Sequence, residues 1–203
     1  MTHSCELDKC KCLTAKLEQV ATESLELVCS LNNLRDIDGF IGGILCLREQ
    51  NSDSFLIEKM ITGSIEPKDE ETITQFAHEQ ANRNLEMLAA RKHVSSYQSR
   101  DFSKKLFPGA IIAHHNKKQI CYSFHGMIWD YDEAIVLVIA VKMGHLTLVQ
   151  AKEIAQISKN NIFTNVANHL EAHSANEFFT KACLCGGMAC LLGLFACAAL
   201  GIG

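Results

Sequence analysis

The stretch that decides the fold lies between Phe107 and Gly144 and runs FPGAIIAHHNKKQICYSFHGMIWDYDEAIVLVIAVKMG. Its first half holds two apolar segments separated by the polar tip His114 to Lys118. The segment Gln119 to His125 alternates polar and apolar side chains, which is typical of a strand with one buried face. Two strands around a polar tip predict a hairpin. Asp130 to Met143 is acidic at first and then strongly apolar, and this pattern predicts a helix.

The rest of the chain alternates between helical and strand patterns. Apolar side chains recur at helical spacing from Cys12 to Leu34, and Gly39 to Arg48 and Phe55 to Ile61 are short apolar runs joined by polar residues. A helix is predicted after Pro67, with Asp69, Glu70 and Glu71 in its first turn, and it runs to roughly Arg91. Another is predicted from Thr147, the expected N-cap, to about Leu170. The order predicts an α+β fold in which an antiparallel sheet is flanked by helices.

The composition is that of a globular domain with an appendage. The chain has 203 residues, a formal net charge of -4 and no stripe of basic residues. We therefore expect no nucleic-acid partner, because neutralising phosphates needs clustered Lys and Arg. Cys29, Cys46 and Cys121 lie among apolar neighbours, which predicts small buried side chains in a reducing, cytosolic setting.

The end of the sequence is the part that points to a membrane. Ala182 to Gly203 contains no charged residue, and its 22 residues would form a helix of about 33 Å, enough to cross a hydrocarbon core. This pattern predicts a C-terminal tail anchor with the preceding domain facing the cytosol. Two other interpretations stay open, a buried core helix and a lipid-inserting segment that does not span.

Particular residues of this tail bear on helix pairing, acylation and metal binding. Small side chains, among them Gly193 and Cys197, recur every four residues and would let two membrane helices approach closely, although composition alone also produces such spacing. Cys183 and Cys185 would lie at the membrane boundary, where reversible acylation can occur. Cys-x-Cys pairs are also a weak indication of metal binding, because further ligands at the usual spacing are missing.

Several features of the 107–144 stretch resemble the C-terminal half of the GlcG/HbpS-like (haem-degrading) family. Pro108-Gly109 corresponds to that family's Pro-Gly-Gly turn, His125-Gly126 stands where Ser-Gly is usual, and Asp132-Glu133 corresponds to the acidic pair that opens the last helix. Upstream, GFIGGILCLREQ is similar to the family's first strand and turn. The resemblance covers roughly Leu13 to Leu170 and implies a profilin-like or PAS-like domain that forms dimers or larger rings. Some members of the family bind haem.

The domain organisation follows from these patterns. Residues 1–12 are a polar, cysteine-containing N-terminus, and residues 13–172 are the GlcG/HbpS-like α+β domain. Residues 173–181 are a linker, and residues 182–203 are the membrane-anchor segment.

Histidines of the second hairpin are the candidate ligands. We expect His114, His115 and His125 to come together there, and imidazole nitrogen binds haem iron and other transition metals. His125 and His114 are the expected metal ligands, and Phe124 and Gly126 the other expected cofactor contacts. The apolar walls of the pocket would come from the following side chains: Ile112, Phe124, Met127 and Trp129.

Less specific interpretations of the same residues stay open. Two of the three histidines can simply lie on an exposed turn, and His78 and His93 are alternative ligands. Gly109 and Gly126 fall at strand ends, where a positive φ is often needed, so their role can be structural.

The sequence therefore predicts a membrane-tethered, homo-oligomeric module that binds a small molecule, with haem as the leading candidate. The alternative is a non-enzymatic interaction or scaffold domain that dimerises on a membrane surface. Nothing indicates turnover, because G-x-S-x-G, H-E-x-x-H and P-loop patterns are missing. Cys121 lies in an apolar strand, which should raise its thiol pKa and disfavour a role as nucleophile. A haem-oxidising enzyme and a cleaved tail peptide are further, weaker hypotheses.

Overall fold

The computed structural model describes residues 3–34, 42–61 and 67–173. The elements follow in the order α1 (His3–Leu31), β1 (Gly43–Glu49), β2 (Ile57–Ile61), α2 (Pro67–Arg91), β3 (Ala110–His115), β4 (Lys118–His125), α3 (Trp129–Lys142), α4 (Leu148–Ser158) and α5 (residues 161–173). Two short 3-10 helices, Ser96–Ser99 and Phe102–Lys104, lie between α2 and β3. The described residues up to Val166 belong to one compact unit, and residues 167–173 belong to a second.

The four strands form one antiparallel sheet in the order β2-β1-β4-β3. β1 and β4 are the two central strands, and each is joined to an edge strand by a hairpin. The predicted α+β class, an antiparallel sheet flanked by helices, is confirmed in the part of the chain that the structure describes.

Helices cover both faces of the sheet. On one face, Cys46 and Cys121 pack against Ala77 and Ala81 of α2. Because side chains alternate along a strand, Tyr122 of β4 points to the opposite face, which α1 and α3 cover. The three predicted buried cysteines are confirmed, and burial raises the pKa of the Cys121 thiol to about 12.

α3 is the most deeply buried helix among the described residues. Every residue from Ala134 to Ala140 is fully buried, because α3 packs against β3, β4, α1 and α4. A helix that is apolar on all sides belongs in an interior of this kind. Its first turn carries Asp130 and Asp132, so the buried helix delivers acidic side chains to one end of the sheet.

The last predicted helix is divided in two, which corrects the expectation of one helix over Thr147 to Leu170. Thr147 does cap α4, and it forms a capping box with Gln150. α4 ends where Lys159 adopts a left-handed conformation with φ 57°. The side chain of Asn160 then caps α5, since its Oδ1 accepts a hydrogen bond of 2.9 Å from the backbone N–H of Phe163.

The histidines of the second hairpin do not come together, which corrects that expectation. His115 pairs with Lys118 at the turn, and Ala110 pairs with Ser123. His125 therefore lies at the far end of the hairpin, roughly 20–24 Å from His114 and His115 at about 3.4 Å per residue.

The predicted membrane anchor lies outside the described residues. This holds for residues 182–203 as a whole and so for Cys183, Cys185, Gly193 and Cys197. Among the residues that are described, none of the helices combines the length and the apolar character needed to cross a bilayer.

Candidate functional site

A cavity of about 460 Å³ opens at the end of β4, between α2 and the start of α3. It is lined by Phe76, Lys105, Phe107, His125, Met127, Ile128 and Trp129. Five of these seven side chains are largely apolar, and the Lys105 ammonium, the His125 imidazole and the indole N–H of Trp129 are the polar groups. A concave apolar surface with few polar groups is the usual form of a small-molecule site.

Aromatic rings hold the imidazole of His125 in place. The ring of Phe107 stacks on His125 with centroids 5.9 Å apart and planes inclined by 26°. Phe76 approaches the same imidazole at 5.1 Å and meets Phe107 edge to face at 5.3 Å. Trp129 extends this aromatic wall towards Phe102. The wall fixes the plane of the imidazole, which a ligand-binding histidine requires.

Two polar side chains meet the inner nitrogen of His125. Nε2 of Gln80 lies 3.1 Å from Nδ1 of His125 and also donates a hydrogen bond of 3.0 Å to the carbonyl of Pro108. On the other side, Oδ2 of Asp132 lies 3.4 Å from the same Nδ1. Nδ1 can accept from the Gln80 amide or donate to the Asp132 carboxylate, depending on the tautomer. Among the described residues, Nε2 of His125 has no hydrogen-bond partner.

Asp132 is a buried residue, and one of its two carboxyl oxygens accepts no hydrogen bond in the described structure. Its Oδ1 accepts a hydrogen bond of 3.0 Å from the backbone N–H of Met127, while Oδ2 has no hydrogen-bond partner in the described structure. Burial raises the pKa of Asp132 to about 6, although the His125 imidazole, 3.4 Å from Oδ2, opposes the shift. A carboxylate facing the inner nitrogen of an imidazole is the arrangement that orients metal-binding and catalytic histidines.

The neighbouring acid, Glu133, has a structural role instead. Its carboxylate accepts hydrogen bonds from Ser95 Oγ and from Asn160 Nδ2, the latter at 3.1 Å. These contacts tie α3 to the segment before β3 and to the start of α5. Burial raises the pKa of Glu133, and burial also raises the pKa of Asp130 to about 6. The start of α3 is therefore an acidic region held in a largely apolar environment.

Glycine shapes the backbone beside His125. Gly126 has φ 156°, and a Cβ there would overlap the carbonyl oxygen of Gly42 and the Cα of Gly43. Gly109 has φ 141°, and a Cβ there would lie 2.7 Å from the carbonyl oxygen of Phe124. The predicted positive φ at both strand ends is confirmed, and in each case the close approach of a neighbouring strand also requires glycine.

The other predicted site residues lie elsewhere. His114 and His115 are exposed at the hairpin tip, where the His115 ring stacks on His145 at 4.1 Å. Ile112 and Phe124 belong to the core and line no part of the cavity, because Phe124 points to the sheet face opposite His125. Met127 and Trp129 do line the cavity, as expected from the sequence.

Several residues of the site were not predicted from the sequence. The lining residue Phe76 comes from α2, and Lys105 and Phe107 come from the irregular segment just before β3. Asp132 was expected only as part of the acidic pair that opens the last helix. One signal was available: Gln80 and Asn84 are amide side chains on the buried face of α2 that also carries Ala77 and Ala81. A buried amide on such a face indicates a specific polar partner.

The arrangement can bind a flat, largely apolar ligand with an anionic group near Lys105. Nε2 of His125 can then act as a donor or as a ligand to a metal, depending on which tautomer Gln80 and Asp132 stabilise. Comparison with other proteins adds no assignment, since the chain matches no protein-family model, no curated protein and no solved structure.

Proposed function

We propose that this chain is a membrane-tethered module that binds a small molecule, with haem as the leading candidate ligand. The observation that carries the proposal is the environment of His125. Its Nδ1 lies between Gln80 and the buried Asp132, and its Nε2 lacks a partner among the described residues in a cavity with aromatic walls.

The residues of the cavity fit haem in three respects. The volume of about 460 Å³ is in the range of cofactor pockets, and the walls are mainly apolar. His125 would hold the iron through Nε2 while Nδ1–H donates to the unpaired Oδ2 of Asp132, and Lys105 would pair with a propionate. When bound, haem supplies an iron centre that can accept small ligands or electrons.

The finer fold assignment is part of the same proposal. We propose a profilin-like or PAS-like shape and membership of the GlcG/HbpS-like group, with homo-oligomers as in that family. Support comes from the four-stranded antiparallel sheet with helices on both faces and from the sequence features around Gly109, Gly126 and Asp132. Support for the membrane tether comes from the uncharged sequence of residues 182–203, which would leave the domain facing the cytosol.

The haem proposal is tested by titrating the full chain with haem in mild detergent and recording the absorption spectrum. We expect a shifted Soret band that saturates at one haem per chain. His125→Ala should abolish the shift or weaken binding by more than about tenfold, the loss typical of disrupting a metal-ligand environment. His114→Ala is the matched control, because His114 is exposed at the far end of the same hairpin.

A second substitution, at Lys105, separates the contribution of the iron to haem binding from that of the propionate charge. Lys105→Gln should weaken the binding of haem but leave the binding of a neutral apolar probe of similar size unchanged. If His125→Ala binds haem as tightly as the wild type and His114→Ala do, the assignment of haem to this cavity is wrong.

A second candidate function, a scaffold domain that dimerises, is favoured by apolar side chains at the cavity mouth. Ile128 is 63% exposed and Phe102 is 49% exposed, and a second copy of the chain could cover both. This function predicts a dimer in analytical ultracentrifugation that Ile128→Ser weakens, and no bound ligand. A monomer at all concentrations would exclude it.

A further inference from the structure

Three side chains of metal-binding type meet at a second place, on the half of the sheet that holds β1 and β2. Cys46 of β1 and Glu58 of β2 are direct cross-strand partners, so their side chains share one face. His78 of α2 packs over that face. One ligand atom from each of the three residues lies within 4.8 Å of the other two, and no other such group occurs among the described residues.

The geometry is close to that of a metal centre. Donor atoms at about 2.0–2.3 Å from a tetrahedral ion lie roughly 3.3–3.8 Å apart. In the described structure Nε2 of His78 lies 2.5 Å from Oε2 of Glu58, so these two atoms would separate and the thiol would move closer. Glu58 and His78 can adjust because their side chains are 47% and 32% exposed.

The surroundings restrict the histidine ring. Phe55 stacks on His78 with centroids 4.1 Å apart and planes inclined by 16°. Phe55 also packs against the buried cluster of Cys46, Ile44 and Ala77. The ring of His78 is thus held beside Cys46 by an apolar contact as well as by the Glu58 pair.

A simple ion pair accounts for only part of this arrangement. An exposed His–Glu pair contributes at most about 1 kcal/mol to stability and has no need of a third group. The thiol of Cys46 adds a soft ligand beneath the pair, and thiolate, imidazole and carboxylate together are a donor set suited to zinc.

We propose that Cys46, Glu58 and His78 bind one divalent transition-metal ion of the zinc type. Each residue supplies one donor atom, and a water molecule completes the tetrahedron. The Cys46 thiol gives up its proton to solvent when the metal–sulfur bond forms, so one proton is released for each ion bound. This site is distinct from the cavity around His125 and does not depend on the haem proposal.

Cobalt(II) is the probe for a thiolate ligand. The full chain in detergent, kept reduced, is titrated with Co²⁺, and the thiolate-to-metal charge-transfer absorption is recorded. Cysteines elsewhere in the chain can also bind cobalt, so the comparison between variants decides the outcome. We expect Cys46→Ala and His78→Ala each to lose one bound equivalent, or to bind it at least about tenfold more weakly, since even a residue that only orients a ligand is worth that much.

Matched controls separate the site from general effects. Cys121→Ala removes a second fully buried thiol on the same sheet face, and His114→Ala removes an exposed histidine. Both should bind cobalt as the wild type does. Zn²⁺ should raise the melting temperature of the wild type and of both controls, but not that of Cys46→Ala or His78→Ala.

Three results would overturn the proposal: a wild-type chain whose melting temperature does not respond to Zn²⁺, equal cobalt binding in all variants, or loss of binding in Cys46→Ala alone. If Cys46→Ala does not fold, the cobalt binding of His78→Ala and Glu58→Gln tests the proposal instead. Both variants should fold, because the side chains of His78 and Glu58 are partly exposed. Haem binding should persist in both, so failure of the metal site and failure of the haem proposal are distinguishable.

Discussion

His125 and Asp132 are seven positions apart in the sequence, and a tight loop brings them together. Gly126 turns the chain at the end of β4, and α3 begins within three residues at Trp129. Because α3 is buried, Asp132 in its first turn cannot reach water. The ionised form of Asp132 is therefore unfavourable in the folded protein. A buried acid of this kind is more often explained by function than by stability.

Asp132→Asn should flatten the pH dependence of stability. The pKa of Asp132 in the folded chain is about 6, above that of an aspartate in an unfolded chain. The stability that this raised pKa confers is complete below about pH 4 and is lost as the pH rises through 6. The effect of Asp132→Asn should therefore be about 2–3 kcal/mol more favourable at pH 7 than at pH 4.

Urea denaturation at several pH values measures this difference. Asp130 has a pKa raised in the same direction, so its own contribution remains in the Asp132→Asn variant as an internal comparison. Parallel stability curves for the wild type and Asp132→Asn between pH 4 and 7 would show that the carboxyl is not desolvated as described.

Gly126→Ala should destabilise the protein through a steric clash. Both a positive φ and an overlap with the carbonyl oxygen of Gly42 oppose a side chain here, and we expect a loss of roughly 3 kcal/mol or more. Gly144 is the control, because it has φ 73° but open space around it. Gly144→Ala should cost only about 1–2 kcal/mol, and equal losses in urea denaturation would contradict the clash.

The sequence is informative about some of these residues and not about others. A glycine at the end of a strand predicts a positive φ, and Gly109 and Gly126 both have one. The contact between His125 and Asp132 could not be predicted, because it depends on how α3 enters the core. Lys105 and Phe107 reach the cavity through irregular backbone, for which periodicity gives no signal.

At the scale of the elements, the boundary between α4 and α5 is a point of local strain. Lys159 holds a left-handed conformation, which glycine adopts without the steric penalty of a side chain. Lys159→Gly should therefore stabilise the protein by about 0.5–1 kcal/mol. Lys152→Gly, in the middle of α4, should instead destabilise it by about 1 kcal/mol. Opposite signs in urea denaturation are the expected result, and destabilisation by both changes would argue against the described helix end.

Hydrophobic periodicity was enough to predict the type of the strands and of the helices before Thr147. It missed the helix break at Lys159 because lysine is common inside helices and carries no stop signal. The expectation about the histidines failed for a different reason. In an antiparallel hairpin, residues near the turn pair with each other, so His115 beside the turn cannot lie next to His125 at the other end.

On the scale of the whole molecule, we propose that the tail holds the preceding domain at a membrane. Residues 182–203 carry no charge, and we expect the full chain to partition into the detergent phase in a Triton X-114 separation. A chain that ends at Lys181 should stay in the aqueous phase. Partition of both forms into the aqueous phase would remove the basis for a membrane tether.

Haem binding in the cavity around His125 can be measured on the chain as it is isolated from cells. The full chain is produced in cells supplied with haem, purified in detergent, and measured for iron per chain and for its absorption spectrum. We expect close to one haem iron per chain in the wild type and in His114→Ala, and a nearly complete loss in His125→Ala. Equal iron content in the wild type and in His125→Ala, or no haem in either, would contradict it.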